Sequence, residues 1–161
     1  MEIPPGEQRV RPDPAHGPDA APTAYQIRAR TVGEGRAEAV AGTQVIPFDA
    51  GWGRPPTGLP GPAELLASAF AACLLKNLER TSQRLQFQYD GAEVDVTLRR
   101  QDAPPKFTEV TYELRLRTDE PEQRIDLVHR NLRKFGTVYN TLAPGCAIEG
   151  RIVAAPPGAA R

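Results

Sequence analysis

Short alternations of apolar and polar residues near the start of the folded region are typical of β-strands. Residues 25–31 alternate apolar or small side chains with glutamine and arginine, as a half-buried strand does. Residues 36–40 and 45–48 form two further runs, each bounded by a glycine turn. The pattern predicts a meander of three strands. A connector over 49–61, rich in glycine and proline, follows it.

A helix is predicted over 62–80, directly after this connector. Pro62 suits the first helical position, and Glu64 suits the first turn, where a carboxylate meets free backbone N–H groups. From Leu65 to Leu75 the segment holds no charged residue, and Ser68 is its only polar one. A helix that is apolar nearly all round is covered on several sides, so we expect it at the centre of the fold.

The rest of the chain returns to strands and adds a second helix. Strand-like runs lie at 85–89, 94–98, 110–116 and 146–153. Over 125–142, apolar residues recur at spacings of three and four and predict a second long helix, which Pro144 and Gly145 end. Two long helices among strands indicate an α+β domain.

Composition and charge narrow the function classes. The chain has 161 residues and a formal net charge of zero, which disfavours a nucleic-acid binder. No apolar run approaches the ~18 residues of a membrane span, and the N-terminus lacks the apolar core of a signal peptide, so we expect a cytoplasmic protein. We predict a flexible proline-rich tail at 1–23, one domain at 24–154 and a C-terminal tail at 155–161.

The candidate chemistry centres on thiols. The two cysteines and two histidines match no zinc spacing, and no metal or cofactor is expected. Cys73, in the middle of the apolar helix, either fills a gap as a small hydrophobe or is a reactive thiol, which needs a nearby cation and access. Lys76 and Asn77 lie on its face of the helix, where they either form a polar rim or mark where the helix leaves the core.

This helix resembles the first helix of the OsmC/Ohr family, whose members reduce organic hydroperoxides with a helix-borne cysteine. The family pattern is a glycine-rich lead, a P-x-E-L-L start, a small-residue stretch and an A-C pair. The residues that match it in register are Pro62, Glu64, Leu65, Leu66, Ala72 and Cys73. The strand ending in Phe48 and Asp49, the connector and the order of elements also match, so the resemblance covers nearly all of 24–154.

The resemblance implies a fold and a reaction. It implies antiparallel sheets wrapped around two long central helices in an intertwined homodimer, with each site built from both subunits. It also implies that the Cys73 thiolate attacks the peroxide O–O bond and becomes a sulfenic acid, which a second-helix cysteine resolves as a disulfide.

The second-helix cysteine is missing from this chain. Aligning the family's second helix on Val138 and Leu142 places Gly136 where that cysteine belongs. Cys146 is either an ordinary strand residue or a relocated resolving thiol. If Gly136 lies across from Cys73, we expect a small space there and a one-cysteine cycle completed by an external thiol.

Two further residues are carried over from the family. Arg36, in the turn after the first strand, matches the arginine that stabilises the thiolate. The family's orienting glutamate falls on Ala63, so Glu64 either replaces it or only caps the helix. Phe48, Trp52 and Phe70 either line an apolar wall for substrate or are plain core.

Two functions follow from these residues. The leading one is a thiol-dependent peroxidase that reduces organic hydroperoxides through Cys73, with Arg36 and Glu64 in support. Its expected partners are a second copy of the chain, a small hydroperoxide and an external thiol reductant, with no nucleic acid and no membrane. The alternative is a catalytically silent protein of the same fold that binds a small apolar or lipid-like ligand.

Overall fold

The computed structural model describes residues 23–158, so most of the predicted N-terminal tail and the last three residues lie outside the described part. The elements in chain order are β1 (Arg28–Gly33), β2 (Arg36–Ala41), β3 (Gln44–Asp49), α1 (Pro62–Leu85), β4 (Gly91–Asp102), β5 (Pro105–Arg117), α2 (Glu122–Phe135), α3 (Thr137–Leu142) and β6 (Ala147–Ala155). Two sheets and three helices confirm the α+β class. No helix within 23–158 is long and apolar enough to cross a membrane.

The first sheet has the order β1-β2-β3 and is antiparallel throughout, as the meander pattern predicts. Within 23–158 Ala37 of β2 is buried, but most of the sheet's larger apolar side chains are exposed, as is every residue of β1. The exposed apolar side chains of this sheet and its approach are Tyr25, Ile27, Val32, Val40, Val45 and Ile46. The segment 25–31, predicted as a half-buried strand, is therefore exposed at every residue within the described range 23–158.

The second sheet carries the core. Its order is β4-β5-β6, with β4 and β5 antiparallel but β5 and β6 parallel, so the sheet is mixed rather than antiparallel as expected. A parallel partner needs a long crossover, and α2 with α3 supplies it. The inward side chains of β5 pack against α1 and α2, and the fully buried ones among these elements are Phe70, Leu74, Leu78, Val110, Leu114, Leu116, Val128 and Leu132.

The segment 85–89 does not form the predicted strand: Leu85 ends α1, Gln86 is its C-cap, and residues 87–89 have no regular structure. The helix runs five residues beyond the predicted end at 80, and Gln86 caps it in the left-handed conformation with φ 50°. Arg124 of α2 donates to the carbonyl oxygens of Leu85 at 2.8 Å and Gln86 at 3.1 Å. A cation that binds the last free carbonyls of a helix stabilises that end, and the partner here is 39 residues away.

The second long helix is two helices. Gly136 adopts an extended conformation with φ −73° and ψ 108°, so α2 ends before it and α3 begins after it. The Asn140 side chain bridges the break by donating to the Lys134 carbonyl oxygen at 3.1 Å. The apolar stripe continues across the break, which explains why its spacing alone predicts one helix.

A carboxylate holds the glycine-rich connector against the first sheet. Asp49 accepts hydrogen bonds from the Gly51 backbone at 2.7 Å and from the Thr57 backbone and hydroxyl at 3.0 and 2.9 Å. The bonds from Thr57 and Gly51 hold the pKa of Asp49 below its ordinary value. Ala50 also donates its backbone N–H to the Gly35 carbonyl oxygen at 3.0 Å, which joins the connector to the turn before β2.

We expect Asp49→Ala to loosen the connector without unfolding the second sheet. All three side-chain bonds are lost, so amide hydrogen exchange over 50–61 should accelerate at least several-fold while β5 stays protected. Because the folded pKa of Asp49 is lowered, acidification of the unaltered protein should release the connector only as the pH falls through that lowered value. Asp102→Ala, at an exposed carboxylate that bonds Arg100 on the β4–β5 hairpin, is the control. Equal exchange in both variants would contradict this role.

Candidate functional site around Cys73

The fold of α1 places Cys73 at the edge of the core. Phe70, Leu74 and Leu78 on one face of the helix are at most 1% exposed, whereas Ala69 and Ala72 on the other face are exposed. Cys73 lies between the two faces and is partly buried, and its thiol is free. Cys73 therefore sits on a packed helix while the residue is still partly exposed, and a reactive thiol requires some access.

A neutral amide contacts the sulfur. Asn77, one turn after Cys73, points its Nδ2 at the Cys73 carbonyl oxygen at 3.2 Å and at the Cys73 Sγ at 3.5 Å. No other hydrogen-bond donor to this sulfur occurs within 23–158. Of the two interpretations that the sequence leaves open for Asn77, the structure favours the polar rim.

Gly136 lies against the same sulfur, as the alignment on Val138 and Leu142 predicts. A Cβ added at Gly136 would stand 3.7 Å from Cys73 Sγ. It would also stand 2.8 Å from the Leu132 carbonyl oxygen and 2.9 Å from the Tyr139 Cβ, which is closer than real Cβ atoms come. The expected small space is therefore absent, because the backbone of α2 and the start of α3 fill it.

Tyr139 and Arg133 support this side of the site, and the sequence pattern alone did not single them out. Arg133 Nε donates to the Tyr139 hydroxyl at 3.0 Å, so a residue of α2 holds one of α3 across the Gly136 break. The Tyr139 ring lies 6.1 Å from the Phe70 ring, which is itself fully buried. Phe70 is thus core rather than a substrate wall.

A second polar pair lies behind Phe70. The Tyr112 hydroxyl and His129 Nε2 are 2.7 Å apart, and burial raises the pKa of Tyr112 to about 12. Burial, with help from Arg133, lowers the pKa of His129, which favours the neutral form of its ring. The pair satisfies two partly buried polar groups, which is a structural role.

The residues carried over from the family are spread along the single chain. Arg36 is exposed at the start of β2, and its guanidinium has no hydrogen-bond or ion-pair partner within 23–158. Glu64 Oε2 accepts the Gly61 backbone N–H at 3.0 Å, so the carboxylate satisfies the N–H of the N-cap residue at the start of α1. No hydrogen bond or ion pair in the described region joins either residue to Cys73.

The remaining candidates lie apart from the sulfur. Cys146 donates its thiol to the Phe107 carbonyl oxygen at 3.3 Å and packs at the border of the core. Trp52 of the connector is 94% exposed within the described residues, so the expected apolar wall is not formed there. Two cations lie over the ring of Phe135, the residue before Gly136. Arg80 Cζ is 4.9 Å and Lys134 Nζ is 5.3 Å from the centre of that ring.

Comparison with known proteins decides the family. The family model of the OsmC-like protein matches residues 55–150, which span α1, Cys73 and Gly136. The chain belongs to the OsmC-like family. This confirms the resemblance drawn from the helix motif. No curated protein sequence matches the chain.

Solved structures similar to this OsmC-like chain show the same fold. An OsmC-like protein from Mycoplasma pneumoniae superposes with a TM-score of 0.75 at 21% identity, covering 82% of this chain and 97% of that one. The organic hydroperoxide resistance protein OhrB of Bacillus subtilis gives a TM-score of 0.60 at 17% identity, with coverages of 81% and 98%. An organic hydroperoxide resistance protein OsmC from Legionella pneumophila gives 0.65 at 13% identity, with the same coverages.

Proposed function

We propose that this OsmC-like protein reduces organic hydroperoxides through Cys73 by a one-cysteine cycle. The observation that carries the proposal is the setting of Cys73, a partly exposed residue whose sulfur is contacted by the Asn77 amide and faced by Gly136. Two of the structurally similar proteins are named for organic hydroperoxide resistance, which supports the substrate class.

The first step oxidises the sulfur by two electrons. The Cys73 thiolate attacks the terminal peroxide oxygen of ROOH, an S–O bond forms and the O–O bond breaks. The leaving alkoxide takes up a proton and departs as the alcohol ROH. The products are the alcohol and a sulfenic acid at Cys73, so the peroxide is reduced by the same two electrons.

The return to the thiol needs two external thiols. With Gly136 beside Cys73, and the Cys146 thiol bonded to the Phe107 carbonyl oxygen, we assign no internal resolving group. A first external thiol displaces water from the sulfenic acid and forms a mixed disulfide. A second attacks that disulfide, releases the reduced Cys73 and leaves as an external disulfide. Such a cycle suits the cytoplasm, where reduced thiols are plentiful.

Product analysis tests the proposal. The unaltered protein, an alkyl hydroperoxide and an excess of a monothiol should yield one alcohol for every external disulfide formed. A silent ligand-binding protein of the same fold would bind the hydroperoxide or its alcohol without forming either product. That result would overturn the peroxidase and favour the alternative.

We further propose that the protein is an intertwined homodimer. The exposed apolar side chains of the first sheet and the exposed face of α1, which carries Ala69, Ala72 and Leu75, are two surfaces that a second copy can cover. In such a dimer each site draws on both chains. Arg36, whose guanidinium has no partner within 23–158, is then available to the partner's Cys73.

A charge on the exposed face of α1 should abolish this dimer. Ala72→Glu places a carboxylate where the proposed interface, expected to bury more than ~2,000 Å², excludes water. Light scattering at micromolar concentration should show a dimer for the unaltered protein and loss of the folded dimer for the variant. Gln123→Glu adds the same charge at an exposed position of α2 and should leave the dimer intact. A stable folded monomer of the unaltered protein would contradict the assembly.

A further inference from the structure

Asn77 is an unusual residue for its position. Asparagine is a poor residue for the interior of a helix, because its side chain competes for backbone hydrogen bonds. Here it lies 15 residues after the start of a 24-residue helix, and it is partly buried. Its donor group is committed to two atoms of one residue, the carbonyl oxygen and the sulfur of Cys73. The two contacts fix the amide beside the thiol.

We infer that Asn77 is the hydrogen-bond donor that stabilises the Cys73 thiolate. An amide N–H directed at sulfur favours the charged form of the thiol, because hydrogen bonds to ionised acceptors are stronger than bonds to neutral ones. This inference rests on the proposed function, in which the thiolate is the attacking group. It goes beyond that function by assigning the donor to a neutral side chain of the same helix.

The geometry separates this donor from the cations nearby. Arg80 and Lys134 lie over the Phe135 ring at 4.9 and 5.3 Å, whereas the Asn77 amide donates to Cys73 Sγ itself. A neutral donor stabilises the thiolate over short range and is little screened by salt, unlike an exposed cation. The contribution of Asn77 to thiolate stability should therefore change little with ionic strength.

The chain offers a matched control for the amide. Asn131 of α2 is also partly buried, and its Nδ2 donates to the carbonyl oxygen of Leu127, four residues earlier, at 2.8 Å. Both side chains bond the carbonyl oxygen four residues earlier in their helix. The residue that Asn131 bonds is a leucine, whereas the residue that Asn77 bonds is Cys73. Leucine is similar in size to asparagine, so replacing either residue by leucine removes the amide without leaving a large gap in the helix surface.

The experiment follows alkylation of Cys73 by iodoacetamide across pH, with the label located by mass spectrometry. We expect Asn77→Leu to move the pH midpoint of Cys73 alkylation upward by about one unit, a tenfold loss of thiolate worth about 1.4 kcal/mol. Asn131→Leu should leave the midpoint unchanged. Asn77→Ala, which removes the amide without adding a charge, should move it upward as well and provides the test if the leucine variant does not fold.

The outcomes separate the two claims. An unchanged midpoint in a folded Asn77 variant overturns the role of Asn77, even if the protein consumes hydroperoxide. A shifted midpoint in a protein that never reduces hydroperoxide supports the role of Asn77 and overturns the peroxidase.

Discussion

Replacement of Cys73 by serine should abolish hydroperoxide reduction. The serine hydroxyl keeps the size of the side chain but has no thiolate to break the O–O bond, so turnover should fall at least a thousandfold, to the rate of the free thiol alone. The measurement is alcohol formation from an alkyl hydroperoxide in the presence of an excess monothiol. The serine variant should remain folded, because the thiol is only partly buried.

Cys146→Ser is the matched control. The Cys146 thiol bonds a backbone carbonyl of β5, and the serine hydroxyl can make the same bond. We expect turnover within about twofold of the unaltered protein. Loss of turnover in this variant as well would make Cys146 the resolving thiol and end the one-cysteine account.

A cysteine at position 136 should convert the protein to a two-cysteine cycle. The added Cβ would lie 3.7 Å from Cys73 Sγ, so a sulfur on it can reach the sulfenic acid that the peroxide produces. After one equivalent of hydroperoxide, Gly136→Cys should lose the Cys73 thiol and the introduced thiol and gain a disulfide between residues 73 and 136. Peptide mapping without reduction locates that bond.

Gly136→Cys should also destabilise the protein, and Gly136→Ala measures that loss of stability separately. Any Cβ at 136 meets the Leu132 carbonyl oxygen and the Tyr139 Cβ, so both Gly136→Cys and Gly136→Ala should lower the free energy of unfolding by roughly 1–3 kcal/mol. Gly136→Ala should still form a sulfenic acid but no disulfide. If the cysteine variant folds and is oxidised at Cys73 while both thiols fail to pair, the proposed placement of the two residues is wrong.

Local signals predicted much of the fold. The start of α1 at Pro62 and the capping role of Glu64 follow from residues within one turn, and the structure shows both. The end of α1 did not follow, because the Arg124 side chain that binds its last carbonyls comes from another helix. The pattern at 85–89 predicted a strand, whereas α1 extends to Leu85 and residues 87–89 have no regular structure.

Some features of the candidate site were likewise predicted from the sequence, and others were not. The contact between Gly136 and Cys73 was predicted from the alignment of the second helix, and the structure confirms it. The break at Gly136 was not predicted, because the apolar stripe is continuous across it and a helix-period pattern cannot detect a local change in ψ. The hydrogen bond from the Asn77 amide to the sulfur depends on the rotamer of the Asn77 side chain. Residue spacing does not specify that rotamer, so the bond could not be predicted from the sequence.

The most direct measurement is the capture of the oxidised sulfur. The unaltered protein, fully reduced and then treated with one equivalent of an alkyl hydroperoxide in the presence of a sulfenic-acid-specific dione, should carry the dione label on Cys73 and not on Cys146. Peptide mass spectrometry locates the label. The account predicts near-complete labelling at Cys73 with an equal amount of alcohol formed. An unlabelled Cys73 with the hydroperoxide intact would contradict it.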